Sequence, residues 1–180
     1  MSKKKLATVW LGGCSGCHMS LLDIDERILD VAKLADIVKC PIVDGKELPN
    51  VDITLVEGSV TSDEHWHEIR HIRQQSKLVV AFGDCAITTN ITGMRNYFTK
   101  QEVIDQSYVH APSNDGKGEM PSHKALLKLH DKVVPLHEVV KVDYYIPGCP
   151  PSADTIFYVL FELLNDRVPH LGQERKLKYG

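Results

Sequence analysis

The stretch Leu6-Ala7-Thr8-Val9-Trp10-Leu11-Gly12-Gly13-Cys14-Ser15-Gly16-Cys17-His18 constrains this chain more than any other. An apolar run of strand length ends in a glycine pair, two cysteines follow on a tight turn, and a helical pattern starts directly after them. Such a corner, at the carboxyl end of a first strand, lies on the edge of an open α/β sheet where ligands bind. Cys85 and Cys149 stand at two more places that read as strand ends. The expectation is that Cys14, Cys17, Cys85 and Cys149 together hold one iron–sulfur cluster.

The rest of the chain supports a sheet around that corner. Residues 6–11 read as a buried strand. Residues 18–33 read as a helix, with Leu21, Ile24, Ile28 and Val31 on one face and Asp23, Glu26, Arg27 and Asp30 off it. Strands are expected over 37–43, 51–56, 78–82 and 139–146, with a loop over 44–50. Thr61-Ser62-Asp63-Glu64 has the form of a capping box opening a helix to about residue 75. Residues 86–122 form a long functional loop with short helical pieces, and 123–131 one helix. Ser152 caps a closing helix over 155–164, apolar nearly all round, and the polar tail over 172–180 is loosely held. Strands alternating with helices predict an α/β, doubly wound parallel sheet in a single domain over 1–180. The strands barely alternate, as in a sheet covered on both faces.

Bulk properties exclude several classes. The 180 residues carry a net charge of −3, which argues against nucleic acid, and 43% hydrophobic residues can fill a core. No apolar run is long enough for a transmembrane segment. The basic start Lys3-Lys4-Lys5 is followed by too short an apolar run for a secretory signal, and no twin-arginine pair is present. The expectation is a cytoplasmic protein, and five cysteines in a reducing compartment speak against a disulfide framework. Cys40 reads as a small buried hydrophobe.

A lone Cys-x-x-Cys serves a redox pair, half a zinc site or half a cluster site. A redox pair leaves Cys85 and Cys149 unexplained. Each follows an apolar strand and a glycine, Gly83 and Gly148, which permit close approach to a bulky inorganic core. Cys149-Pro150 matches the cysteine–proline step that closes ferredoxin runs. Structural zinc usually takes two local knuckles and only one is present, but a four-thiolate zinc site and unrelated cysteines remain the alternatives. Backbone N–H groups of Ser15, Gly16 and Cys17 are placed to donate to cluster sulfurs, as is His18, whose other reading is a first-turn polar residue. A flavin on this chain is disfavoured, because the only phosphate-cradling glycine loop is taken up by cysteines.

Cys14-Ser15-Gly16-Cys17-His18, Val56-Glu57-Gly58-Ser59, Gly83-Asp84-Cys85-Ala86 and Pro147-Gly148-Cys149-Pro150-Pro151 resemble, in order, the motifs of the small subunit of [NiFe] hydrogenases. The resemblance implies a flavodoxin-like fold and a proximal [4Fe-4S] cluster on Cys14, Cys17, Cys85 and Cys149. It implies a separate large subunit with the nickel–iron centre. The related 20 kDa subunit of respiratory complex I has adjacent cysteines in its first motif, whereas Ser15 and Gly16 separate them here. Periplasmic members carry a signal and a C-terminal extension with further clusters, and neither is visible here. The chain is therefore similar to the small subunit of cytoplasmic bidirectional NAD(P)-linked hydrogenases, whose diaphorase subunits carry FMN and more clusters. The resemblance sets Glu57 near the large-subunit interface, as a proton relay or a ligand of backbone amides; the other reading is a structural carboxylate, and Asp84 has the same two readings. The alternatives are an H2-sensing or quinone-linked relative with the same cluster, or a zinc-stabilised binding module.

His67-Glu68-Ile69-Arg70-His71 matches the zinc-protease pattern. Arg70 inside the motif, the dense charge around it and the missing third ligand make it a decoy on a solvated helix, with Trp66, Ile69 and Ile72 turned inward. Tyr144 and Tyr145 are expected to pack near the sheet.

Overall fold

In a computed structural model, residues 3–43 and 47–172 are described. Five parallel strands form the central sheet: β1 (Lys4–Trp10), β2 (Ala35–Lys39), β3 (Val51–Glu57), β5 (Ser76–Phe82) and β7 (Tyr144–Ile146). Their order is β2-β1-β3-β5-β7. Apart from the short β4 (Val60–Ser62), which lies outside this sheet, that is the flavodoxin-like order, with its switch point at β1 and β3.

Both faces of the sheet are apolar because alternate residues of each strand enter different cores. Leu6, Ile53, Leu55, Val80 and Phe82 pack with α1 (Gly16–Leu22), α2 (Ile28–Leu34) and α7 (Ala153–Leu164). Ala7, Val9, Val56, Val79 and Ala81 pack with Ile69 and Ile72 of α3 (Asp63–Gln75), with Trp66 partly buried beside them. Among the described residues no helix is long and apolar enough to cross a membrane.

The structure corrects several expectations. The helix over 18–33 is two helices separated by a 3₁₀ turn at Asp25–Arg27. Asp25 has φ 51°, and the Arg27 guanidinium donates to the Ile24 carbonyl, while Ile24 stays buried with Leu21 and Val31. β2 starts at Ala35 and ends before Cys40, where a turn closed by Val43 N–H on the Cys40 carbonyl takes over. Cys40 is half-buried rather than core. The loop over 44–50 lies partly outside the described residues, as does the tail from 173 onward.

The cap of α3 is Ser62, whose side chain accepts from His65 N–H; Thr61 instead meets the His65 ring at 2.9 Å, so no capping box forms at Thr61. Residues 123–131 are not a helix: β6 (Leu129–Val134) pairs antiparallel with β4, and Asn96 binds both the N–H and the carbonyl of Val133. The strand over 139–146 shrinks to Tyr144–Ile146, because a 3₁₀ turn at Leu136–Glu138 buries Leu136 against the α3 face. The short helical pieces between 84 and 114 are present, among them α4 (Asp84–Thr88), α5 (Asn90–Gly93) and α6 (Lys100–Ile104).

Candidate metal centre

The loops after β1, β5 and β7 leave the same edge of the parallel sheet and carry Cys14 and Cys17, Cys85, and Cys149. Cys17 and Cys85 are buried and Cys14 and Cys149 exposed. The four lie within electrostatic reach. Burial pushes the Cys17 thiol up most, followed by the Glu57 carboxylate and then by Cys85, Cys14 and Cys149. Burial also raises Cys85, as do Cys149 and Cys14, against the opposing pull of the Ile91 and Thr92 N–H groups. Among the described residues no three His, Cys, Asp or Glu are arranged to hold a single metal ion.

Glycine makes the room. Gly83 has φ 84°, and a Cβ there would fall 2.2 Å from Cys17 Sγ. Gly148, with φ 135°, would drive a Cβ into the backbone of Pro151. Between them Asp84 joins two cysteine-bearing loops: its carboxylate accepts from Gly148 N–H at 2.7 Å, and its own N–H donates to the Gly148 carbonyl at 3.0 Å. Asp84 is thus a structural tie. Ser20 Oγ on α1 donates to the Pro151 carbonyl and fastens the Cys149-Pro150 loop to the first helix.

At the first corner Ser15 takes a left-handed conformation (φ 65°), and Gly16 N–H donates to Cys14 Sγ at 3.4 Å. Cys17 N–H does not face a sulfur, contrary to expectation; Glu57 takes it at 3.2 Å, and the N–H of His18 at 3.0 Å. These are among the first amides of α1, which lack helical partners. Glu57 also bonds the Nδ1 of His18. Glu57 is 2% exposed and His18 1%. The His18 ring, buried rather than a polar first-turn residue, sits edge-on between Trp10 and Phe82, at 5.4 and 5.8 Å. Its Nε2 is buried without a partner among the described residues.

Four thiols at one sheet edge and a cleared Cβ position at Gly83 fit a thiolate-held inorganic group. The zinc-protease pattern has no such support, since Glu68 pairs with Lys39 at 3.2 Å and Arg70 lies over Trp66 at 4.3 Å. Tyr144 packs against the core and Tyr145 is exposed. Sequence reasoning gave no role to Ser59, which is fully buried and joins the Cys14–Cys17 corner to the Cys85 turn. The signal available was Gly58, a turn glycine between two polar residues at the end of an apolar strand.

Residues 14–163 match the family described as the 20 kDa subunit of NADH ubiquinone oxidoreductase. The chain is 39% identical over 166 residues to a subunit of the F420-non-reducing hydrogenase of Methanothermobacter marburgensis, covering 90% of this chain and 54% of that one. It spans little more than half the length of the first of these relatives, the F420-non-reducing hydrogenase subunits of Methanothermobacter and Methanocaldococcus. It is 38% identical over 168 residues to the delta subunit of the NAD-reducing hydrogenase HoxS of Cupriavidus necator, covering 92% of this chain and 80% of that one. A chain in the crystal structure of an NAD+-reducing [NiFe]-hydrogenase in the H2-reduced state superposes with a TM-score of 0.94 at 36% identity, covering 99% of this chain and 100% of that one.

Proposed function

This chain belongs to the family of the 20 kDa subunit of NADH ubiquinone oxidoreductase, and from that premise we propose that it is the electron-transfer small subunit of a cytoplasmic [NiFe] hydrogenase. Cys14, Cys17, Cys85 and Cys149 would hold one [4Fe-4S] cluster. That group, when bound, supplies one-electron transfer between the nickel–iron centre of a large subunit and a diaphorase module that exchanges electrons with NAD(P). The chain is not catalytic alone.

The observation that carries this reading is the convergence of the three cysteine-bearing loops on one sheet edge, with Gly83 leaving space beside Cys17 Sγ. Four thiols supplied by three separate loops suit a cubane, which spreads its thiolates around a core, whereas tetrahedral zinc draws them to a point. The chain's own residues position and insulate. Glu57 pins the Cys17 end of the first corner by its backbone, which favours the amide-binding role over a proton relay. Asp84 holds the Cys85 and Cys149 loops in register. His18 and Phe82 are buried edge to edge behind the Cys17 corner, and the exposed Trp10 covers the other edge of the His18 ring.

The test is EPR with iron and acid-labile sulfide analysis on the anaerobically purified, dithionite-reduced complex pulled down through this chain. A reduced-cluster signal with a nickel-bearing partner is expected. Zinc without iron, and no partner, would refute the reading. A second reading, in which the electron acceptor is not NAD, is supported by relatives whose names, F420-non-reducing hydrogenase, carry no NAD link. H2-dependent NAD+ reduction by the same complex, and the subunits that co-purify, separate the two.

A further inference from the structure

The turn that follows the Cys85 helix is held differently from the other cysteine-bearing loops. After α4 the chain reverses through Thr89 and Asn90, with φ of 66° and 40°. Non-glycine residues keep such angles only where the surroundings enforce them. Here a pair of hydroxyls does so. Thr92 Oγ1 lies 2.7 Å from the Thr89 carbonyl and 2.5 Å from Ser59 Oγ, and Ser59 Oγ lies 3.1 Å from the Gly12 carbonyl. Three contacts share two hydroxyl protons, so the pair forms a relay in which two of the three are hydrogen bonds at any moment.

Ser59 is anchored at the other end as well. Its N–H donates to the Gly12 carbonyl at 2.8 Å, and it accepts from Gly12 N–H at 3.0 Å. A Cβ at Gly12 would collide with Thr61, so this pairing leaves no slack. Gly12 leads directly into Cys14. On the far side of the relay, the N–H groups of Ile91 and Thr92 favour the Cys85 thiolate.

We propose that Ser59, acting through Thr92, is a positioning residue for Cys85: the hydroxyl relay locks the Thr89–Gly93 turn, which directly follows the Cys85 helix, to the Gly12 corner that leads into Cys14. The inference rests on the reading that Cys85 is a cluster ligand. N–H donors near cluster sulfurs stabilise the reduced, more negative state and raise the reduction potential. Loosening the turn therefore lowers the potential without removing a ligand.

The experiment compares the wild-type complex with Ser59→Ala, Thr92→Val and Thr92→Ser, purified anaerobically. Iron and sulfide are quantified, and the reduced-cluster EPR signal is followed at poised potentials. Ser59→Ala and Thr92→Val should keep their iron and show a lower midpoint potential, with altered g-values. Thr92→Ser, which keeps the hydroxyl, should match wild type. If Ser59→Ala fails to assemble, the nearly isosteric Thr92→Val decides. Loaded variants with wild-type potential and spectrum would overturn the relay alone, whereas an iron-free wild type would overturn both the relay and the cluster reading.

Discussion

Replacing Gly83 by alanine tests the site geometry without touching a thiol. Two costs follow. The first is conformational: Gly83 has φ 84° and ψ 162°, a region that is nearly glycine's alone, and an alanine held there costs about 1–3 kcal/mol. Against a typical total stability of about 5–15 kcal/mol, that leaves the fold standing. The second is steric. The new methyl would lie 2.2 Å from Cys17 Sγ, where ordinary contact begins at 3.4 Å, so the sulfur must retreat by 1.2 Å. Metal–ligand distances tolerate only about 0.2 Å, so the displacement is about six times what ligation allows. Cys17 is buried, and its neighbours leave it little room to retreat.

The assay is iron and acid-labile sulfide per chain on the purified complex, with EPR of the reduced sample. Gly83→Ala should fold yet fall well below wild type in iron and lose the reduced-cluster signal. The control is Gly116→Ala, which also forces a side chain onto a positive φ (73°) but has no atom within 4 Å of its new Cβ. It should bind iron like wild type. Full iron in Gly83→Ala would refute the placing of Cys17 in the ligand set.

Other perturbations separate ligands from supports. Serine at Cys14, Cys17, Cys85 or Cys149 should each abolish the cluster, whereas Cys40→Ser, outside the sheet edge, should keep it; iron analysis reads both. Glu57→Gln keeps the shape but removes the charge that accepts from Cys17 N–H, His18 N–H and the His18 ring, so denaturant unfolding should show a loss of about 1.5–3 kcal/mol, and an unchanged midpoint would count against its role. Asp143 is pushed up by burial but held down more strongly by Val79 N–H, Arg73 and Lys141, so its carboxyl lies below the usual range. Its stabilisation is complete well above pH 3.8 and is lost as the pH falls through its lowered value. Asp143→Asn should therefore be less stable than wild type at pH 7 by about 1.5–3 kcal/mol, with a gap that narrows in acid, and a gap that is constant with pH would refute the assignment.

How much of this was legible in the sequence depends on range. The strands were legible because both faces of the sheet are buried, and uninterrupted apolar runs such as 51–56 and 78–82 admit few other uses. The break at Asp25 was not, since the apolar spacing of Leu21, Ile24, Ile28 and Val31 suits one helix and two equally well; only docking of Ile24 decides. Residues 129–134 become a strand because β4 offers an edge some 70 residues earlier in the chain, a contact that local propensity does not contain. The cysteines were legible because few side chains can hold a metal. Glu57 and Asp84 were each left between two readings, and Ser59 was given none, because a buried polar side chain has meaning only once the amides lacking partners are known.

Glu57 shows why that accounting matters for the chemistry. Its charge is spent on the first amides of α1, so that helix end offers little residual attraction to an anionic centre. Burial, with the same charge behind it, pushes the Cys17 thiol up toward its neutral form. If these thiols hold a cluster, as we propose, they would be held as thiolates, and the burial that opposes ionisation would then strengthen each interaction inside the corner. Loading would release protons, and retention would weaken in acid. Among the described residues, the amides placed to tune a bound group would include that of Gly16 at Cys14 and, in our proposal, those of Ile91 and Thr92 at Cys85, whose turn is tied to Ser59 on neither cysteine-bearing loop.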